Sequence, residues 1–501
     1  MAIRSRGDGG PVSASPPSQH ELVYDVAVVG AGVVGTAVAR LLSRHRLDVV
    51  VIEAASDVGA GTSKANTAIL HTGFDATPGT IESRLVARGY ELLGRYAAEV
   101  GIAIEPTGAV LVAWDDEQLS TLPMLATKAE ANGYHACETL TTSELREREP
   151  NLGAGALGAL VVPGESIIDP WSPPIAFASE AVLNGVTLMR DARVTAIATH
   201  ADHHELTIRN EAPDESIVLA RWIVNAAGLR GDEVHRLLGH DSFTVRPRRG
   251  ELIVFDKMAR SLVSHIVLPV PTGKTKGVLV APTVFGNVLL GPTADDIDDK
   301  SATGSTRDGI DSLLDKGARI MPSLVREEVT AVYAGLRAAT SSSDYCIELD
   351  AEQRYVCLGG IRSTGLTAAM ALAEEALGLL RSGGLALADR PADELVAVRL
   401  TSLGEASHRP WQDGGRIVCH CERVTAGEIA LACRGPVPAI DLDGVRRRTR
   451  ALMGRCQGFH CTAAVAALTA IGTGRTMSSL LHLPEPIGPE GGAKAAGGQA
   501  R

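Results

Sequence analysis

The chain has 501 residues, of which 45% are hydrophobic and 21% charged, and its formal net charge is -11. That length exceeds what one hydrophobic core usually carries, so more than one domain is expected. The negative balance argues against nucleic acid as the main partner. The 53 glycines beside only 3% aromatics favour an α/β enzyme with tight turns over a platform for stacking bases. No apolar run reaches the ~18 residues a membrane span needs.

Residues 1–22 lack an apolar h-region and a twin arginine, so they read as a disordered arm, and the cytoplasm is the expected compartment. Next comes YDVAVVGAGVVGTAVARLLSRHRLDVVVIEAA. Val26 to Val29 predict a buried parallel strand, Val38, Leu41 and Leu42 a helix, and Val49 to Ile52 a second strand ending at Glu53. Gly30-x-Gly32-x-x-Gly35 joins the first strand to the helix. Gly30 permits the tight turn, Gly32 lets backbone amides reach a pyrophosphate, and Gly35 lets the helix sit close to the sheet. Glu53 accepts from ribose hydroxyls and would repel the extra phosphate of NADP.

The following segment, GTSKANTAILHTG, is small and polar where an NAD domain would continue into another helix. It offers Thr62, Ser63, Asn66 and Thr67, then His71. RWIVNAAGL predicts a strand whose small end, Ala227 and Gly228, lets backbone approach a cofactor. YVCLGGIRSTGLT predicts a strand, a glycine turn at Gly360 and a helix opening at Gly365, Leu366 and Thr367, whose N-terminus can hold anionic flavin atoms. Three such approaches to one cofactor fit a large, extended ligand. Arg337, in AGLRAAT, is costly to bury unpaired, so either a protein carboxylate or an anionic substrate should meet it.

Half of the 8 cysteines lie near the C-terminus as Cys419-x-Cys421 and Cys456-x₄-Cys461. In a chain without an export signal, such a cluster reads as metal ligands sooner than as disulfides. Thr425 and Glu428 form a capping box opening one helix. DGVRRRTRALMG predicts a second helix, ending at Gly454, and a third begins at Cys461. Gly458 allows a loop that brings Cys456 and Cys461 together. Four thiolates suit a [2Fe–2S] cluster or a structural zinc, which His420 and His460 could also serve. Cys433 reads as core, and Cys137, Cys346 and Cys357 as inert. Arg446, Arg447, Arg448 and Arg450 could offset an anionic cluster, dock a partner or form a solvated face.

GAGVVGTAVARLL, TSKANTAILHTGFDATPGT, GKTKGVLVAPTVFGNVLLGPTA, VYAGLRAATS and GGIRSTGLTAAMALAE resemble the FAD-dependent oxidoreductases of the D-amino-acid-oxidase superfamily. Within it they resemble glycerol-3-phosphate oxidases and dehydrogenases, with L-2-hydroxyglutarate oxidases as near relatives. VCHCERVTAGEI and RTRALMGRCQGFHC resemble the bacterioferritin-associated-ferredoxin-like domain, which carries [2Fe–2S]. The resemblance implies that His71 is the base for the substrate hydroxyl and that Lys276 and Arg337 bind the substrate. It implies that Cys419, Cys421, Cys456 and Cys461 hold the cluster. Ala338 departs from the proline common after that arginine.

The expected fold class is therefore α/β. A Rossmann-like FAD-binding domain (about 23–95, 150–240 and 330–384) is combined with a mixed-sheet substrate domain (about 96–149 and 241–329). A linker at 385–415 leads to a small α-helical iron–sulfur domain at 416–475 and a flexible tail at 476–501. The expected activity is an FAD-dependent dehydrogenase acting on a small anionic alcohol, with sn-glycerol 3-phosphate first among substrates. Electrons would leave through the cluster to a partner redox protein or quinone, with peripheral membrane contact only through that partner. The rivals are a 2-hydroxyacid or amino-acid dehydrogenase and a non-catalytic electron-transfer subunit.

Overall fold

The computed structural model describes residues 22–210, 215–271, 277–401, 403 and 415–481. The expected arm up to residue 21, Lys276, most of 402–414 and the tail beyond 481 lie outside these residues. Among the described residues no helix is long and apolar enough to cross a membrane.

The expected α/β class is found. Val23–Val29, Val49–Ile52 and Thr187–Met189 run parallel on one side of an eight-stranded sheet. On the other side Val23–Val29 pairs parallel with Glu215–Asn225, whose end pairs parallel with Tyr355–Gly359. These strands are almost unbroken runs of Val and Ile because both faces are covered. The helices Val33–Leu42, Ile81–Val100, Ser172–Leu183 and Gly365–Ser382 bury one face in a common apolar core. At the first turn Gly30 has φ +101°, and a Cβ on Gly35 would lie 1.9 Å from the Gly30 carbonyl oxygen. Only glycine allows that helix to start so close to its strand.

A second, nine-stranded mixed sheet stands over the C-terminal ends of the first sheet's strands. At one end of it lies the long antiparallel pair Arg246–Phe255 and Val329–Ala339, in register with Arg248 opposite Arg337. This sheet also takes Gly158–Val162. Two strands from segments that read as FAD-binding are thus built into the covering sheet, because their hydrogen-bond partners lie there.

Residues 385–401, expected as a linker, form a strap on the N-terminal unit. Arg390 N–H donates to Arg44 O at 2.8 Å, Val396 N–H to Asn184 Oδ1 at 2.9 Å and Leu400 N–H to Val100 O at 2.8 Å. The C-terminal unit has a two-stranded ribbon and the helices Ala426–Ala432, Leu442–Thr449 and Thr462–Thr473 around its own core. The capping box of Thr425 and Glu428 forms. The second helix stops at Thr449 rather than at Gly454, because Arg450 turns left-handed (φ +68°), as does Leu452 (φ +70°).

Candidate active site and cysteine loop

Between the two sheets lies a cavity of about 1190 Å³, larger than the ~300–1,000 Å³ of most small-ligand pockets. Two helix N-termini meet it. Val33–Leu42 starts after Gly32, and Gly365–Ser382 after Thr364, neither with a side-chain cap. Gly32, Gly228, Gly360, Gly365 and Leu366 are on its wall. Small residues and helix N-termini at both ends suit a long ligand with a pyrophosphate and an anionic ring edge. FAD fits that description.

Thr62, Ser63, Asn66 and Thr67 also line the cavity. The side chains of the first three fix the segment against its neighbours and itself. Thr62 Oγ1 donates to Leu336 O at 2.8 Å, Ser63 Oγ accepts from Val33 N–H at 3.0 Å, and Asn66 Nδ2 donates to Ser63 O at 2.8 Å. Glu53 lies behind the wall, where its carboxylate accepts from Ala31 N–H at 2.6 Å and Ala55 N–H at 2.8 Å. Burial raises its pKa above the usual carboxylate range, against those two donors. Ala227 and Thr367 are not on the wall. Ala227 N–H donates to Asn225 Oδ1 at 3.2 Å, and Thr367 Oγ1 is buried against the backbone N–H of His71 at 3.0 Å. Thr367 thus holds the His71 loop.

His71 lines the cavity, and its Nδ1 lies 2.9 Å from Glu165 Oε2. Glu165 is 0% exposed. Its Oε1 accepts from Thr72 N–H at 2.6 Å and Thr72 Oγ1 at 2.9 Å. A carboxylate so held fixes the Nδ1–H tautomer, which places the imidazole's basic lone pair on Nε2. Glu165 did not emerge from the sequence, where GES between two apolar strands reads as a turn.

Arg337 is on the wall of the covering sheet, opposite its register partner Arg248. Its Nη1 donates to Thr293 O at 3.3 Å, and among the described residues no carboxylate pairs with it. Burial, reinforced by Arg248, lowers its pKa to about 10. Arg248 itself is taken by Asp296 at 2.6 and 3.1 Å. A Cβ on Gly250 would lie 2.9 Å from Arg337 Nη2, so the glycine makes room for the guanidinium. Arg362 is held at the cavity edge by Ser342 O at 3.3 Å and Glu82 at 3.7 Å.

In the C-terminal unit the thiols of Cys421 and Cys456 interact directly, as do those of Cys419 and Cys461. Among the described residues no three His, Cys, Asp or Glu side chains gather round one point as a single ion would require. Two neighbouring pairs suit a [2Fe–2S] cluster, in which each iron takes two thiolates. Backbone N–H groups of His460, Gly458 and Phe459 point at Cys456 and lower its pKa. Gln457 (φ +47°) and Gly458 (φ +85°) turn left-handed in that loop. Amides directed at sulfur favour the thiolate form a cluster needs.

Residues 25–378 match the family of FAD dependent oxidoreductases, and residues 417–470 match the BFD-like [2Fe-2S] binding domain. A glycerol 3-phosphate dehydrogenase of Caloramator mitchellensis is 33% identical over 91% of this chain and 96% of its own length. One subunit of the anaerobic glycerol-3-phosphate dehydrogenase of Escherichia coli K12 is 27% identical over 89% of this chain and 87% of its own. The dithionite-reduced L-alpha-glycerophosphate oxidase of Mycoplasma pneumoniae, solved with FAD bound, superposes with a TM-score of 0.71 at 29% identity. It covers 76% of this chain and 100% of its own.

Proposed function

The chain belongs to the FAD dependent oxidoreductase family, in its glycerol-3-phosphate dehydrogenase type with a C-terminal BFD-like [2Fe-2S] binding domain, and on that premise we propose that it oxidises sn-glycerol 3-phosphate to dihydroxyacetone phosphate. When bound, FAD supplies a two-electron hydride acceptor and [2Fe–2S] a one-electron carrier. Gly32, Gly228, Gly360 and the uncapped turn at Gly365 would hold the FAD, and Cys419, Cys421, Cys456 and Cys461 the cluster.

The observation that carries this reading is the pairing of Arg337 and His71 on one cavity. Arg337 has no carboxylate of its own among the described residues, so an anionic group of the substrate completes it. His71 takes the hydroxyl proton at Nε2, and Glu165 steadies the charged ring that results. Lys276 is proposed as a second ligand for the substrate's anionic end. The acceptor of its electrons would be a partner redox protein or a quinone, and its compartment the cytoplasm.

Anaerobic mixing of the purified holoprotein with sn-glycerol 3-phosphate should bleach the flavin absorption band. Bleaching by 2-hydroxyglutarate or an amino acid in its place would reassign the substrate. No bleaching by any of them would leave the reading of a non-catalytic electron carrier.

A further inference from the structure

The arginines of the C-terminal unit do not form a solvated face. Asp57 of the N-terminal unit is 0% exposed and accepts from Arg447 Nη2 at 2.5 Å and from Arg448 Nη1 and Nη2 at 2.6 and 2.8 Å. Burial would raise the Asp57 pKa, but the two guanidiniums more than offset this and hold it below the usual carboxylate range. A Cβ on Gly444 would sit 3.0 Å from Asp57 Oδ2, so the arginine helix approaches on its one small residue. Around this centre Ser56 Oγ donates to Asp441 at 2.5 Å, Arg190 Nη1 to Pro438 O at 2.7 Å and Lys64 Nζ to Asp443 at 2.9 Å. Val437 joins the apolar core of the N-terminal unit.

A second anchor lies next to the thiols. Glu422, which follows Cys421, is buried and accepts from Arg450 Nε at 2.8 Å and from Lys257 Nζ, on the N-terminal unit, at 3.1 Å. The Arg450 guanidinium lies 3.9 Å above the Phe285 ring, which stacks on Trp171 at 5.0 Å. Trp171 Nε1 donates to Lys64 O at 3.2 Å.

The first anchor therefore ends on one short segment, residues 56–66, and the second reaches the same segment through Phe285 and Trp171. That segment is tied to the dinucleotide turn by Gly59 N–H, which donates to Ala31 O at 2.8 Å, and it contributes Thr62, Ser63, Ala65 and Asn66 to the cavity wall. Planar guanidinium–carboxylate contacts fix orientation as well as distance. The Asp57 contacts cross between the units in that way, and the Lys257–Glu422 ion pair with Arg450 over Phe285 adds a second crossing beside Cys421, so the unit has one seat.

We propose that this arginine face is a permanent intramolecular dock, and that the cysteine unit serves the FAD cavity from this one seat without swinging away. The proposal rests on the functional reading above. The exposed rim pair Lys64–Asp443 provides the test, because the 2.9 Å between amine and carboxylate suits a zero-length linker. A carbodiimide activates the Asp443 carboxylate, and the Lys64 amine displaces it, which forms an amide and releases the urea.

The anaerobic holoprotein is treated with carbodiimide, peptide-mapped by mass spectrometry, and compared with a Lys64→Gln variant treated alike. The expected result is a Lys64–Asp443 linked peptide that is lost in the variant. On adding glycerol 3-phosphate, the linked holoprotein should show the paramagnetic signal of the reduced cluster at the rate of untreated protein. Absence of the linked peptide would overturn the dock. A linked protein whose flavin bleaches while its cluster stays oxidised would overturn the claim that the seat is the working one. If glycerol 3-phosphate fails to bleach even the untreated flavin, the functional reading fails, and the linked peptide still decides the dock.

Discussion

His71 and Arg337 face the same cavity with different local support, and the difference sets what each substitution should do. His71→Asn removes a proton acceptor and should slow flavin bleaching about 10²–10⁴-fold, read by anaerobic stopped flow. Glu165→Gln leaves the ring in place but offers Nδ1 a donor, favouring the wrong tautomer. It should lower kcat about 10–100-fold with KM little changed, whereas a merely structural loss would also lower the melting temperature and FAD retention. Arg337→Lys loses the planar fork and should raise KM by the equivalent of about 1.5–3 kcal/mol. The Arg337 pKa is depressed to about 10, so its charge is intact below that pH and lost as pH rises through it. KM for an anionic substrate should therefore be independent of this group up to about pH 9 and climb above 10.

How much of this is legible in the sequence depends on the distance along the chain. Gly30, Gly32 and Gly35 lie within one turn, and each thiol pair of the motif within a few residues, so local chemistry names them. Glu165 meets His71 across 94 residues and Asp57 meets Arg447 across 390. No local pattern reports such pairs. The bonds that Ala227 and Thr367 make, to Asn225 Oδ1 and to the backbone N–H of His71, are likewise invisible to a motif.

At the scale of elements, the arginine helix Leu442–Thr449 matters most to the arrangement of the chain. Its residues leave a solvated face, a partner dock and charge compensation all open, because spacing cannot say what lies opposite. Asp57→Ala leaves Arg448, which is 8% exposed, without its carboxylate, while Arg447 keeps Asp443. Leaving a buried charge unpaired should cost about 3–5 kcal/mol, read as a lower midpoint in denaturant unfolding of the holoprotein. The strap at 385–401 reads as a linker from its Pro, Ala and Asp content. Its backbone hydrogen bonds to Arg44, Asn184 and Val100 come from partners far earlier in the chain.

For the whole molecule, the two units divide the work, so a lesion in one should spare the first step in the other. Cys456→Ser should abolish the paramagnetic cluster signal, while glycerol 3-phosphate still bleaches the flavin band. Loss of bleaching in that variant would mean that the cysteine unit takes part in the chemistry itself. Composition and motif are enough to separate the two units. Their relative seating, and the covering sheet's use of Gly158–Val162 and Val329–Ala339, need the tertiary pairings.

Two helix N-termini and a guanidinium that pairs with no carboxylate among the described residues share the central cavity, which makes cofactor-stripped protein a trap for small oxyanions. Any solute that prefers the native chain raises its melting point by mass action. Sulfate or phosphate in a storage buffer should therefore protect such material against heat, and the same salts should compete when flavin is added back.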